Sequence, residues 1–143
     1  MDPCAVDTII VRPYQSADRP SVREICTAAA FHGALPGRIL RDRNLLADIL
    51  TAYYTDLEPE TAVVAATGTG VAGYVIGTVS THRFLRRDAM LFATSIVPRF
   101  LAGRYRIGPE LFPLLATGAF DALLGQHPSR IFDEYPAHFH IAL

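Results

Sequence analysis

The last thirteen residues, Ile131 to Leu143 (IFDEYPAHFHIAL), constrain this chain more than any other stretch. From Pro136 onward the residues alternate. Phe139, Ile141 and Leu143 share one face of an extended chain, and His138, His140 and Ala142 share the other. Successive side chains of a strand point to opposite faces, so this is the period-two pattern of a strand with one buried face. Asp133, Glu134 and Tyr135 read as the start of that strand, reached through a turn at His127-Pro128-Ser129.

The preceding chain supplies partners for such a strand. Thr8 to Tyr14 (TIIVRPY) is rich in β-branched residues and stops at Pro13, which predicts a first strand. Asp18 can cap a helix whose apolar stripe is Val22, Ile25, Cys26 and Ala29. Gly33, Pro36 and Gly37 form a loop, and a second helix runs from about Arg41 to Thr55 with Leu45, Leu46, Ile49, Leu50 and Tyr53 on its buried side. Thr61–Ala66 and Val71–Ser80 flank Thr67-Gly68-Thr69-Gly70 and predict a hairpin. Phe84 to Val97 reads as a helix stopped by Pro98, and Leu111 to Leu124 as another ended by Gly125, with Pro109 and Pro113 both near its start. No internal repeat or linker marks a second domain, so residues 1–143 are read as one.

Composition removes several classes of function. Half the residues are apolar and 19% are charged, which excludes a disordered chain. A net charge of −1 gives no reason to expect nucleic acid or an anionic membrane as partner. The N-terminus lacks the basic and apolar segments of a signal peptide, and no apolar run reaches the roughly 20 residues of a membrane span. Cytoplasmic placement follows as the expectation, with Cys4 and Cys26 reduced and Cys26 buried.

Three patterns suggest chemistry. Gly68-Thr69-Gly70-Val71-Ala72-Gly73 fits G-x-G-x-x-G, but the dinucleotide fingerprint needs a helix to begin within the motif, and Tyr74-Val75-Ile76-Gly77-Thr78-Val79 is a strand sequence. It is read as a hairpin turn. His138 and His140 lie on one strand face; as metal ligands they need further groups, and His127, Asp133 and Glu134 sit at no recognised spacing. They read either as strand histidines paired with neighbours or as candidate bases, since imidazole titrates near neutral pH. The Arg83/Arg86/Arg87 and Arg99/Arg104/Arg106 clusters read as solvated helix faces, with phosphate binding as the alternative.

The run YPAHFHIAL, together with EPETAVVAA followed by VAGYVIG, resembles the fourth, second and third strands of the GNAT superfamily of CoA-dependent N-acetyltransferases. The likeness extends from Ile9 to Leu143. It implies an α/β (α+β) fold: a mixed, mainly antiparallel sheet with helices on both faces, here without the family's C-terminal strands and helices. It also implies acetyl transfer from acetyl-CoA to a small-molecule or peptide amine, by direct attack within a ternary complex. Carried onto this chain, the main-chain groups that polarise the thioester fall on Ile141, Ala142 and Leu143. His138 and His140 become the catalytic candidates, and Tyr53 and Tyr54 end a helix that in the family borders the acceptor, with Tyr54 exposed and Tyr53 in the core. Asp133, Glu134 and Tyr135 read from the residues as a solvated turn, with attraction of a cationic amine substrate as the alternative. In the family the fourth strand runs into an Arg/Gln-x-x-Gly-x-Gly/Ala loop that holds the pyrophosphate, and a later tyrosine protonates the leaving thiolate. Nothing follows Leu143 here. The expectations are therefore the front portion of a longer protein or an interrupted reading frame, inactive alone; a non-catalytic binding or oligomerisation module in which a second copy or a partner chain covers the C-terminal strand; or a complete fold of a different kind with that strand at an edge.

Overall fold

The computed structural model describes residues 8–32, 42–106 and 129–143. Four strands form an antiparallel sheet in the order β1 (Ile10–Pro13), β2 (Val63–Thr67), β3 (Gly70–Thr78) and β4 (His138–Ala142). A 3-10 turn at Ser16–Asp18 leads into α1 (Arg19–His32), and α2 spans Arg43–Asp56. After β3 come α3 (Thr81–Leu91), a π-helical turn (Phe92–Ile96) and α4 (Val97–Leu101); a short α5 (Ser129–Glu134) precedes β4. This is the expected α+β architecture, with every described strand pair antiparallel. Helices were expected on both faces, but among the described residues they pack the main core on one face, and Val11, Phe139 and Ile141 on the other stay exposed. Cys4, the 33–37 loop, the Leu111–Leu124 helix and the His127-Pro128 pair lie outside the described residues.

The hairpin forms where the glycines predict it. Gly70 adopts φ +138°, which a side chain would resist, and a bulge between Ala65 and Ala66 absorbs the irregular register. The second of the two helices is capped by Asp42, whose carboxylate accepts from the N–H groups of Asn44 and Leu45 at 2.8 and 2.9 Å. Asp18 acts differently from expectation. Its carboxylate reaches back to the N–H of Gln15 (2.9 Å) and to both terminal nitrogens of Arg12 (2.7 Å each), so it ties the 3-10 turn to β1 rather than opening α1.

Two further expectations need correction. Pro98 does not stop the third helix. Proline lacks the N–H that would bond to the carbonyl four residues back. Here the preceding turn is π-wound, the Val97 N–H reaching Phe92 O, and Pro98 falls in the first turn of α4, where no such donor is needed. The helix ends instead at Gly103 (φ +68°): Gly103 N–H bonds to Phe100 O and Arg104 N–H to Arg99 O, the paired bonds of a Schellman cap. Second, Asp133 and Glu134 are helical and do not begin the final strand, which starts only at His138, beyond the extended Tyr135-Pro136 stretch that proline favours.

The main core joins one sheet face to the helices: Val22 and Cys26 of α1, Tyr53 and Tyr54 of α2, Val64 of β2, and Tyr74 and Ile76 of β3. Cys26 carries a free thiol that burial pushes up. The alternation of β4 holds, but its faces are the reverse of the hydrophobic pattern. His138 and Ala142 turn towards the helices, while Phe139, Ile141 and Leu143 are 70, 61 and 90% exposed. The apolar side chains of β4 therefore lie on the face away from these helices. Gly77 lets β4 approach β3 closely, since a Cβ there would meet His138 O at 2.7 Å and Phe139 Cβ at 3.0 Å.

A buried carboxylate fastens the helices together. Asp48, on the inner side of α2, pairs with Arg23 of α1, accepts from Arg99 of α4 at 3.2 Å, and accepts from the Tyr105 hydroxyl at 2.7 Å. Burial alone pushes its carboxyl up, but the Tyr105, Arg23 and Arg99 contacts outweigh that and hold it below the ordinary 3.8. Asp48→Ala strands two guanidinium groups and a hydroxyl and should cost about 3–5 kcal/mol in urea unfolding. Asp48 and Asp18 are both depressed in the folded state, so the unfolded chain takes up their protons first. Their contribution to stability is present above the ordinary carboxylate range and is lost as the pH falls through the folded values; urea midpoints measured between neutrality and pH 3 should decline in that window, less so in Asp48→Ala.

Candidate active site

β4 brings His138 and His140 to the helix-packed face of the sheet, opposite Thr78 and Ile76 of β3. Their surroundings differ sharply. His138 Nε2 lies 2.9 Å from the Tyr54 hydroxyl, and its Nδ1 lies 2.8 Å from Thr81 Oγ1. Thr81 Oγ1 in turn donates to Pro136 O at 2.9 Å. A carbonyl can only accept, so the single Thr81 proton is committed there and Thr81 must accept from His138. Nδ1 therefore carries the imidazole proton. Nε2 accepts from Tyr54, whose hydroxyl is held well above its ordinary range by burial first, then by Asp88, Tyr53 and Glu58. One assignment satisfies every group: Tyr54 to His138 to Thr81 to Pro136.

The direction of the Tyr54 bond follows from a neutral His138, and it is the environment that favours that form. Burial, then the neighbouring His140, lower its pKa, with Glu58 opposing more weakly. The rings of Phe84 and Tyr54 stand edge-on to it at 4.9 and 6.2 Å. His140 is exposed and makes no hydrogen bond among the described residues, and its ring stands 5.7 Å from that of Tyr54. Desolvation lowers its pKa as well, so its nitrogen lone pair is free at neutral pH.

A second polar group lies behind this pair. Glu58, 1% exposed, forms an ion pair with Arg83 Nε at 2.8 Å, yet neither carboxylate oxygen has a well-aligned hydrogen bond, and the Tyr53 hydroxyl is also unpartnered among the described residues. Burial, then Glu58, push the Tyr53 hydroxyl up.

The structure separates the other residues expected at the site. Tyr54 is 2% exposed, not at the surface; it reaches the site from beneath, through His138. The reason is that Tyr53 and Tyr54 pack edge-to-face and both contact Phe84, which encloses the pair. Asp133 lies on exposed α5 and pairs with His82 at 3.0 Å, and Tyr135 is exposed. Ile141 and Leu143 are exposed and Ala142 is half-buried, along a strand with β3 on one edge and no described strand on the other. Arg83 and Arg99 are occupied by Glu58 and Asp48. Among the described residues, no group of three or more His, Cys, Asp or Glu gathers as a metal site. No described helix is long and apolar enough to cross a membrane.

Sequence reasoning missed Asp48, Glu58 and Thr81. Asp48 had a signal: it sits three residues after Leu45 within an apolar helical stripe, where an acid needs a partner. Thr81 had none, because its role depends on contact across 57 residues.

No family model matches the chain, and no curated protein matches it. Solved structures do. One is the crystal structure of SsHAT, 33% identical, with a TM-score of 0.65, the match covering 95% of this chain. The chain spans 66% of the length of that structure. The chain thus shares the fold of that structure over nearly all of its own length.

Tyr54→Phe tests the assigned hydrogen-bond chain. It removes one of the two hydrogen bonds that hold the ring, so the fold should lose about 1 kcal/mol, while the His138 pKa followed by NMR should stay below 6.5 because burial and His140 are unchanged. In the unmodified protein both β4 histidines should titrate below 6.5; since the folded state binds their protons later than the unfolded chain does, stability falls as the pH drops from 6.5 through their folded values.

Proposed function

We propose that this chain is part of a GNAT-type N-acetyltransferase, transferring the acetyl group of acetyl-CoA to a primary amine. The observation that carries this reading is the division of labour on β4. His138 is held by two hydrogen bonds and biased towards the neutral form by burial, and two residues on His140, exposed and with its pKa lowered, makes no hydrogen bond among the described residues, on the strand that resembles the family's central one. The 33% identity with SsHAT over 95% of the chain supports the same class.

Acetyl-CoA supplies a thioester whose carbonyl carbon is open to attack by an amine. A primary amine is protonated at neutral pH and must first lose a proton. His140 accepts it: its lone pair is free, and its lowered pKa keeps it in the base form. His138 acts as a positioning residue, because its Nε2 lone pair is already used by Tyr54. The residues present fit the acyl end of the substrate. Ile141, Ala142 and Leu143 lie along a strand margin that no described strand covers, so main-chain N–H groups there could polarise the thioester carbonyl. The acceptor is a cationic amine, small molecule or peptide; Asp133 of α5, paired with His82, is not assigned to its recognition. Neither nucleic acid nor a membrane is invoked as partner, and cytoplasmic placement suits a reaction that draws on acetyl-CoA.

A second reading rests on a specific observation. Exposed Phe139, Ile141 and Leu143 form an uncharged apolar surface beside the open margin of β4. Such a margin pairs readily with another strand. A second copy, joined β4 to β4, would make the chain a binding or oligomerisation module without catalysis of its own.

Two experiments separate these readings. In calorimetry the chain should bind acetyl-CoA. With acetyl-CoA and a panel of primary amines, release of the CoA thiol should fall about 100-fold or more in His140→Ala. The acid limb of its pH profile should have a midpoint below 6.5. No binding at millimolar acetyl-CoA would reject the catalytic reading. In sedimentation, the module reading expects a dimer that Ile141→Lys dissociates; a monomer at every concentration rejects it.

A further inference from the structure

Among the described residues, the second, smaller core, built on Leu45, Ile96 and Tyr105, leaves a space unfilled. Between α2 and the long helix of Thr81–Leu101 lies a cavity of about 170 Å³ with no polar surface in its lining. Leu45 and Ile49 form one wall and Phe92, Ile96 and Phe100 the other, with the exposed side chain of Leu101 at the rim.

Two features hold this space open. The first is the π turn. Phe92 and Ile96 stand at its two ends, and the extra residue in the turn spreads them apart along the cavity wall. Pro98 cannot donate to Thr94, so the ordinary α-helical bonding is unavailable at that point and the π turn is favoured. The second is the Asp48 cluster. Asp48 adjoins Ile49, and Arg99 adjoins Phe100; their ion pair, with the Tyr105 hydroxyl on the same carboxylate, fixes the spacing of the two walls from one side. The helices cannot simply slide together to close the gap. Water gains little there, since the lining offers it no hydrogen-bonding partner, and apolar cavities of this size accept benzene-sized molecules.

We propose that this cavity is a binding site for a small uncharged hydrocarbon group, about the size of one aromatic ring or a short branched aliphatic chain. Volume sets the size, and the wholly apolar lining sets the chemistry: it offers nothing to a charge or a hydrogen-bonding head, which would remain outside beyond Leu101. The site stands apart from the β4 histidines and does not depend on the acetyl-transfer reading.

Benzene is the probe, added to the full chain and followed by methyl-resolved NMR. Saturable shifts should appear at the methyl groups of Leu45, Ile49, Ile96 and Val97, together with a rise in Tm. Ile96→Phe fills the space and should weaken benzene binding by about tenfold or more, whereas Ile141→Ser, on the exposed sheet face, should leave it unchanged. The proposal is overturned if no saturable shift appears up to the solubility of benzene, if the shifts centre on Val11, Val63 and Ile141, or if folded Ile96→Phe binds benzene as the parent does. Should Ile96→Phe fail to fold, the location of the methyl shifts in the unmodified protein decides.

Discussion

The hydrogen-bond chain from Tyr54 through His138 and Thr81 to Pro136 is the constraint on which the C-terminal strand depends. β4 is five residues long and, among the described strands, pairs along one edge only. Short strands with one neighbour are marginal on ladder bonds alone. This chain adds anchors from α2 and from the first turn of α3, 84 and 57 residues away in sequence. Thr81 N–H also bonds to Pro136 O, at 2.6 Å, so the entry to β4 is gripped by both the main chain and the side chain of one residue. Because each imidazole nitrogen already has a partner, rotation of His138 would cost two hydrogen bonds at once in a poorly hydrated site. The orientation of His140, two residues on, is inherited from that rigidity.

Buried carboxylates set the geometry of the rest. Asp48 lies within α2 and Glu58 just beyond its end, and each draws an arginine from a later helix: Arg99 to Asp48 and Arg83 to Glu58. The two pairs are not equivalent. Asp48 is saturated by three partners from three segments, so breaking it leaves several charges stranded. Glu58 has one ionic partner in poor alignment for a hydrogen bond, close to an unpartnered tyrosine hydroxyl. A buried charge so incompletely satisfied is a weak contributor to stability. Its electrostatic effect reaches His138, where it opposes the desolvation that keeps the imidazole neutral.

Much of the architecture was legible in the sequence because it rests on local rules. The β-branched run ending at Pro13, the glycines of the hairpin and the apolar stripes of α1 and α2 each produced the element they predict. Errors arose where a local rule met a tertiary one. Pro98 reads as a helix stop, but a π turn accommodates it. Phe139, Ile141 and Leu143 read as the buried face of β4, yet polar His138 occupies the packed side, because Tyr54 and Thr81 satisfy its nitrogens there. The histidine pair was identified by its spacing; what distinguishes its members was not, since that depends on which residues of α2 and α3 lie opposite. Asp133 and Tyr135 were placed at the site by sequence adjacency alone, and α5 keeps Asp133 in solvent.

The sheet is asymmetric in a way that bears on function. One face is packed by α1, α2 and α3 and carries the polar network; the other presents uncharged apolar side chains from β1 and β4. β4 is where these two conditions meet. On one side it has a rigid, desolvated imidazole beside a free one, and along its margin it has peptide groups that no described strand engages. An acyl-transfer site needs both features at once: a proton acceptor whose protonation state is set by its surroundings, and main-chain donors not already spent on a neighbouring strand. A strand buried in the middle of a ladder would lack the second, and an isolated surface histidine would lack the first. Their coincidence on five residues argues for chemistry at β4 more strongly than either histidine does alone.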